Sequence, residues 1–407
     1  MRRVSSEPRP DWLATVEGQG LTYAVDRAGS GKPVAYWDES ACYELTEDEV
    51  DHLERVTDDL HQMAMQAVDR MVGDPTIIER HGLPPGSADL LARSWRDERD
   101  ASLYGRFDLV WDGTGDVKLL EYNADTPAGL VEAAVCQWMW LEDLHPDRDQ
   151  WNMIHEHLVK RWGEFRQRTG VEALHFTVGQ NEPTEDWATV AYLRDTAQEA
   201  GLETFGTTVE EIGWHHQRQV FVDAQDVEIT HCFKMYPTEW MLASPFGSLL
   251  IDSAVTTRWI EPPWKLLAGS KALLPVMWEM FAGHENLLPS YFDAPYAMRE
   301  YVTKPFFGWE GDGVEIHTPT VSESVPATHS EGQQKIYQRY VELPDFDGNH
   351  PVLGTWVIGG RAAGLGVRES TNLITNAQAR FVPHLMTTQR STPEQVESWL
   401  LETPHRP

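Results

Sequence analysis

From Thr46 onward, the spacing of apolar residues predicts a series of elements. Thr46-Glu47-Asp48-Glu49 is a capping-box pattern, and Val50, Leu53, Val56, Leu60, Ala64, Ala67 and Met71 follow at helical spacing. These positions share one face, so a long amphipathic helix is expected, with its methionines filling core space. The period then shortens. Gly105–Trp111 and Val117–Asn123 read as strands around the turn residues Gly113, Thr114, Gly115 and Asp116. Pro127–Trp140 and Trp151–Arg166 read as helices.

Ala173–Val178 is a short apolar run of strand type, Thr189–Ala200 a helix stopped by Gly201, and Glu203–Thr208 a further strand. This alternation over residues 173–260 predicts an α/β lobe with a partly parallel sheet. A third region opens at Glu261-Pro262-Pro263. It holds a helix at Ala272–Phe281 and strands at Tyr301–Lys304, Lys335–Leu343, Val352–Ile358 and Ala362–Arg368. Ser322–Gln333 reads as a polar, mobile loop, and Thr392-Pro393-Glu394 opens a short terminal helix. No internal repeat breaks this order.

Composition narrows the function classes. The 407 residues, 41% of them hydrophobic, suffice for two or three lobes around a sizeable core. A formal net charge of −31 argues against nucleic acid as a partner; it would attract a small cationic substrate, but solubility or the salt habits of the source is the more ordinary cause of most of it. No run is long enough for a membrane span, and Met1–Trp12 lacks an apolar signal core, so the expected location is the cytoplasm. Cys42, Cys136 and Cys232 are widely spaced and read as reduced thiols.

The hairpin Gly105–Asn123 carries the local argument for chemistry. With Thr114-Gly115 as a two-residue turn, Asp108 faces Glu121 and Arg106 faces Asn123. The four polar groups then share one face, with Phe107, Leu109, Leu120 and Tyr122 on the other. Facing like charges destabilise a sheet unless a cation compensates them. Two carboxylates and an amide oxygen suit Mg²⁺, and Arg106 offers a fork of donors to a phosphate or carboxylate. A surface ladder of ion pairs is the competing reading.

Lys304 ends a strand before Gly308, Gly311 and Gly313, a pattern that can bring backbone amides and a point charge to phosphates; ordinary turns look alike. Lys271 is a second candidate cation. Gly29-Ser30-Gly31-Lys32-Pro33 is not a P-loop, because Pro33 stands where Ser or Thr must be. The histidine pairs lack zinc spacing, and there is no nucleophile elbow. Glu182, Glu185 and Asp186 precede the Thr189 helix, where acidic residues either favour the helix dipole or form a pocket for an amine.

Several segments together resemble the glutathionylspermidine synthase family. They are Leu120–Pro127, Trp264–Pro275, Val302–Gly308, Ile336–Gln338 and Val357–Arg368, in family order from about Asp11 to His384. The likeness is to the stand-alone synthetase-like members. It implies an ATP-grasp-type α/β (α+β) fold with an additional α/β pre-ATP-grasp lobe. Residues 1–150 would then carry a helical segment and the metal-binding hairpin, 151–260 the pre-ATP-grasp-like lobe, and 261–407 the nucleotide-binding region. It also implies ATP, Mg²⁺ (two ions), and a carboxylate joined to an amine through an acyl-phosphate. By motif, Asp108, Glu121 and Asn123 match metal ligands, and Arg106 and Arg368 match arginines at the transferred phosphoryl group. Lys271 and Lys304 match the phosphate lysines, Gly308 and Gly311 belong to the phosphate loop, and Gln338 lies on the adenine side. Glu185 and Asp186 match carboxylates near the amine.

The sequence departs from the synthases proper at Trp309, where they carry an arginine, at Arg380, where they carry an acidic residue near the substrate, and at Ser270, Thr126 and Ala128. The acid and the amine, a polyamine or amino-acid-like amine, therefore stay open. So does the assembly, with a homodimer as one form. A non-catalytic nucleotide-binding regulatory or scaffold protein is the alternative, and a kinase a third.

Overall fold

The computed structural model describes residues 1–26 and 34–389. Gly29–Pro33 and the terminal helix expected at Thr392 lie outside the described residues.

The long helix spans Glu47–Val72. Its start is fixed reciprocally: Glu49 N donates to Thr46 Oγ1 at 3.3 Å, and Thr46 N donates to Glu49 Oε2 at 2.7 Å. Its predicted apolar stripe is buried throughout. The stripe packs with Phe107, Leu109, Leu353, Leu365 and Val367 of a five-stranded sheet in one core. That sheet runs Arg380–Val382, Arg361–Ser370, His350–Ile358, Tyr104–Val110, Lys118–Asn123, with every neighbouring pair antiparallel. Strands from both ends of the chain thus share one sheet.

A second antiparallel sheet runs Ser290–Tyr291, Lys335–Arg339, Tyr301–Pro305, Glu315–His317. The 173–260 alternation yields four parallel strands, in the order Arg258–Ile260, His231–Met235, Ala173–Val178, Glu203–Thr208. Helices Ile154–Thr169 and Thr184–Glu199 pack Trp162, Phe165, Leu193 and Ala197 with Phe176 and Phe233 of these strands. The near-continuous apolar runs of the central strands are those of a covered parallel sheet. A fourth sheet pairs Arg2–Ser5 with Ala41–Leu45, and that strand with His384–Gln389. No helix among the described residues is long and apolar enough to cross a membrane. The three cysteines are free and buried.

Three boundaries differ from expectation. Helix Thr184–Glu199 starts five residues before Thr189, because its first turn is polar and gives no apolar signal. Residues 127–129 stay outside the next helix: Gly129 has φ 83°, Ala128 O accepts from the Arg106 guanidinium, and a π-turn follows at Glu132–Cys136. The strand beginning at Lys335 ends at Arg339, not Leu343.

The hairpin register is the expected one at its open end, with Arg106 opposite Asn123 and Asp108 opposite Glu121. Toward the turn it slips by one residue, so Leu109 pairs with Leu119 rather than Leu120. Asn286 holds the slip: its backbone O accepts from Leu119 N at 2.9 Å, and its Nδ2 donates to Val117 O at 2.9 Å. Leu119 takes the core position beside Phe107, and Leu120 turns to the polar face. This corrects the expected placement of Leu120.

Candidate active site

The five-stranded sheet, the second antiparallel sheet and the parallel lobe converge on a cavity of about 580 Å³. Arg106, Asp108, Glu121 and Asn123 of the hairpin line it, with Lys304, Gly308, Gly311 and Gln338 of the second sheet and its loops. Arg368 lines it from the strand Arg361–Ser370, and Glu185 and Asp186 from the first turn of Thr184–Glu199. Lys271 stands at its back, with Nζ 2.7 Å from Gly308 O and 3.4 Å from Glu121 Oε2. The structure therefore brings all twelve sequence-derived candidates to one place.

The hairpin groups form a short network. Arg106 Nε and Nη2 donate to the two oxygens of Asp108 at 2.6 and 3.1 Å. Asn123 Nδ2 donates to Asp108 Oδ2 at 3.1 Å and to Glu121 Oε1 at 3.3 Å. Burial opposes ionising Glu121, but Lys271, Lys304, Asn123 and Arg106 hold its carboxyl down at about 2. Burial lowers the Lys304 ammonium to about 8, with Glu121 opposing and Lys271 adding. Lys304 Nζ donates to Leu120 O at 2.9 Å, and Gln338 Nε2 to Leu119 O at 3.2 Å, both beside the bulge. The slip thus ties the hairpin to the second sheet. Gly354, opposite Asp108 on the next strand, makes room for Arg106: a Cβ there would lie 2.8 Å from Arg106 Cδ. Gly311 has φ 75°, and a Cβ would lie 2.6 Å from Ile374.

Arg368 Nη2 donates to Asn376 O at 3.1 Å, while its buried Nε has no partner. Toward the parallel lobe the wall turns acidic. Burial pushes Glu185 up to about 8; Glu132 adds to this, Arg368 opposes it and Asp186 adds again. Burial, then Glu182 and Glu310, push Asp186 up to about 7. Burial and Asp125 raise Glu239, also on the wall, to about 7.

Other participants carry no sequence signal. Glu132 is fully buried and accepts from Tyr36 Oη at 2.7 Å and Tyr23 Oη at 3.1 Å, leaving Oε2 without a partner. Its role depends on residues about a hundred positions away, which no local pattern reports. Asp125 ties the hairpin exit to the parallel lobe through Lys234 Nζ at 2.7 Å and Thr238 N at 2.8 Å. Leu120, Val302, Ile316, Leu343 and Val352 line an apolar slot beside Gln338.

Two expectations change in space. Arg380 lies away from the cavity lining, bonded to Asp38 at 2.8 Å, Glu369 at 2.7 Å and Asn349 at 2.6 Å. Segment Ser322–Gln333 is fastened at two points. The Asp312 carboxylate accepts from Thr328 N at 2.7 Å and Ser330 N at 2.9 Å, and Glu323 accepts from Leu373 N and Ile374 N.

Comparison with known proteins shows the family. Residues 3–387 match the family model described as glutathionylspermidine synthase preATP-grasp. A provisionally named acid–amine ligase of Haemophilus influenzae is 37% identical over 398 residues, covering 94% of this chain and 99% of that protein. The bifunctional glutathionylspermidine synthetase/amidase of Escherichia coli is 25% identical over 370 residues; the match covers 84% of this chain and 58% of that longer protein. A solved glutathione synthetase-like effector from Globodera pallida superposes with a TM-score of 0.53 at 10% identity, covering 94% of this chain and all of that one, a likeness of fold. With its ATP-grasp-type architecture, the chain belongs to the glutathionylspermidine synthase preATP-grasp family.

Proposed function

We propose that this protein is an ATP- and Mg²⁺-dependent carboxylate–amine ligase that forms an amide through an acyl-phosphate. The observation that carries the reading is a single cavity lined by both kinds of charge: Arg106, Lys304 and Arg368 with the hairpin carboxylates, and Glu185, Asp186 and Glu239 from elements of the parallel lobe. The cations suit phosphates and an acid, the lobe carboxylates an ammonium group.

The donor set fits the metal. Asp108, Glu121 and Asn123 offer hard oxygens on one strand pair, and Mg²⁺ characteristically completes its shell with water and substrate phosphates. Among the described residues no group of three or more His, Cys, Asp or Glu is placed to hold a metal ion; here two carboxylates and an amide make up the donor set. Bound there, one or two Mg²⁺ ions would neutralise phosphate charge; Asn123 would turn its amide oxygen toward them.

Lys304, Lys271 and the Gly308–Gly311 backbone then hold the nucleotide phosphates. The apolar slot beside Gln338 takes the base. An oxygen of the acid attacks the terminal phosphorus, the bond to ADP breaks, and Arg106 and Arg368 stabilise the charge on the transferred group. The amine nitrogen next attacks the acyl carbon. The C–N bond forms as the C–O bond to phosphate breaks, releasing phosphate. The ammonium must first lose a proton, and Glu185 and Asp186, at about 8 and 7, are matched to accept it near neutral pH. The amine is a polyamine or an amino-acid-like amine.

A screen of acids against amines for ADP release, with products identified by mass, tests this reading. Amide, ADP and phosphate should appear only when both substrates are present, and Glu121→Ala should abolish them. A phosphorylated acid formed without amine would make the protein a kinase. Nucleotide binding without turnover for any pair would make it a binding protein.

A further inference from the structure

The acidic end of the cavity has an aromatic wall. Trp309 stacks on His329 with ring centroids 5.0 Å apart and an interplanar angle of 28°, and meets Trp240 edge-on at 5.4 Å and 69°. Trp240 is braced in turn by Tyr236 at 5.4 Å. Trp240, Trp309 and His329 all line the cavity.

Three loops meet there. Glu182 and Asp186 follow the strand Ala173–Val178, and Tyr236 and Trp240 follow its parallel neighbour His231–Met235, with Val178 in register with Met235. The crevice at the carboxyl ends of parallel strands is where such sheets receive ligands. The third loop is a tight turn: Glu310 and Gly311 have φ 52° and 75°, and Asp312 N donates to Trp309 O at 3.0 Å. Asp312 also anchors Thr328–Ser330, which sets His329 against Trp309. The turn, its anchor and the stacked ring together hold Trp309 in place, although it is 38% exposed.

Apart from the His329 imidazole, the charged groups beside the indoles are carboxylates. Glu182, Asp186 and Glu310 face the space beside the indoles, and mutual repulsion adds to burial in holding back ionisation of Asp186. Indole faces attract cations, most strongly where water is excluded. An anion here would meet three carboxylates and negative ring faces.

We infer that Trp309 and Trp240, with the carboxylates of Glu182, Asp186 and Glu310, form an organic-cation subsite that holds the part of the amine substrate remote from the attacking nitrogen, making Trp309 specificity-determining. This rests on the ligase reading for its place in a reaction, but the binding itself does not.

The test is ¹⁹F NMR on the full chain labelled with 5-fluorotryptophan, the Trp309 and Trp240 resonances being assigned from Trp309→Phe and Trp240→Phe. The probes are n-butylammonium, butyrate and 1-butanol. Butylammonium should shift both resonances saturably, and butyrate and butanol should leave them in place. Trp309→Leu should weaken butylammonium about fivefold while Trp309→Phe retains it. Glu182→Gln combined with Glu310→Gln should weaken it about tenfold. Equal shifts with butyrate, unchanged affinity in Trp309→Leu, or no shift with butylammonium would overturn the subsite. Amide formation without the cation shift refutes the subsite and leaves the ligase intact; the cation shift without amide formation for any pair does the reverse.

Discussion

Asp108 stands directly opposite Glu121 on neighbouring antiparallel strands, and the Asn123 amide donates to both carboxylates. Such a pairing is unfavourable in a sheet unless counter-charges hold it. Here they come from Arg106 on one side and from Lys271 and Lys304 on the other. Asp108→Asn should destabilise the free protein by about 1–3 kcal/mol, because it leaves the largely buried Arg106 guanidinium without the carboxylate that it grips with two hydrogen bonds. The same change should weaken the stabilisation by Mg²⁺-ATP, with apparent affinity falling about 10–100-fold. Thermal unfolding with and without Mg²⁺-ATP checks both halves; an unchanged nucleotide-induced shift would contradict the metal assignment.

Glu185 and Asp186 give the reaction a pH dependence of defined sign. Their carboxyls are held up at about 8 and 7, first by burial and then by neighbouring carboxylates. Arg368 opposes the shift at Glu185. They charge as pH rises, and only the charged forms attract an ammonium and accept its proton. The rate at subsaturating amine should climb between about pH 6 and 8, and Glu185→Gln should flatten the climb while reducing the rate.

Stability should run the other way. A carboxyl whose pKa is higher folded than unfolded binds more protons in the native state, so its contribution is full below the unfolded value near 4.5. It is lost as pH rises through about 8. Glu185→Gln should therefore melt higher than the parent at pH 8, with the difference shrinking toward pH 5. A variant that melts lower at pH 8 would show that Glu185 is satisfied by partners in the free protein.

Arg380 belongs to the scaffold. Glu369, fully buried, accepts from Arg380 Nη2 at 2.7 Å, from Arg3 Nε and Nη2 at 2.8 Å, and from Tyr43 Oη at 2.7 Å. Arg380→Ala leaves this carboxylate short of a donor and should cost about 2 kcal/mol of stability. KM values for acid and amine should stay within about twofold of the parent. Denaturant titration and steady-state kinetics check the two statements, and a tenfold rise in either KM would return Arg380 to the substrate site.

The hairpin was legible in the sequence because two local signals agree: turn residues at Gly113–Asp116 and two-residue alternation on either side. They place Asp108 opposite Glu121 without help from the rest of the chain. The bulge at Leu120 was not legible, since Asn286 creates it from far along the chain. The same reason hides Glu132, which is defined by Tyr23 and Tyr36, and the Trp240–Trp309 wall, which needs two loops from different sheets. The early start of helix Thr184–Glu199 escaped for another reason: its first turn faces the cavity and carries carboxylates where a core-facing turn would be apolar.

The central claim is that acid and amine are joined through an acyl-phosphate made in this cavity. It is tested most directly with an acid labelled with ¹⁸O in both carboxylate oxygens, incubated with ATP, Mg²⁺ and the amine that supports ADP release. One ¹⁸O should pass to inorganic phosphate for every amide formed, with the other remaining in the amide carbonyl. Phosphate free of ¹⁸O, or label that stays with an acid that has itself become phosphorylated, would contradict the account.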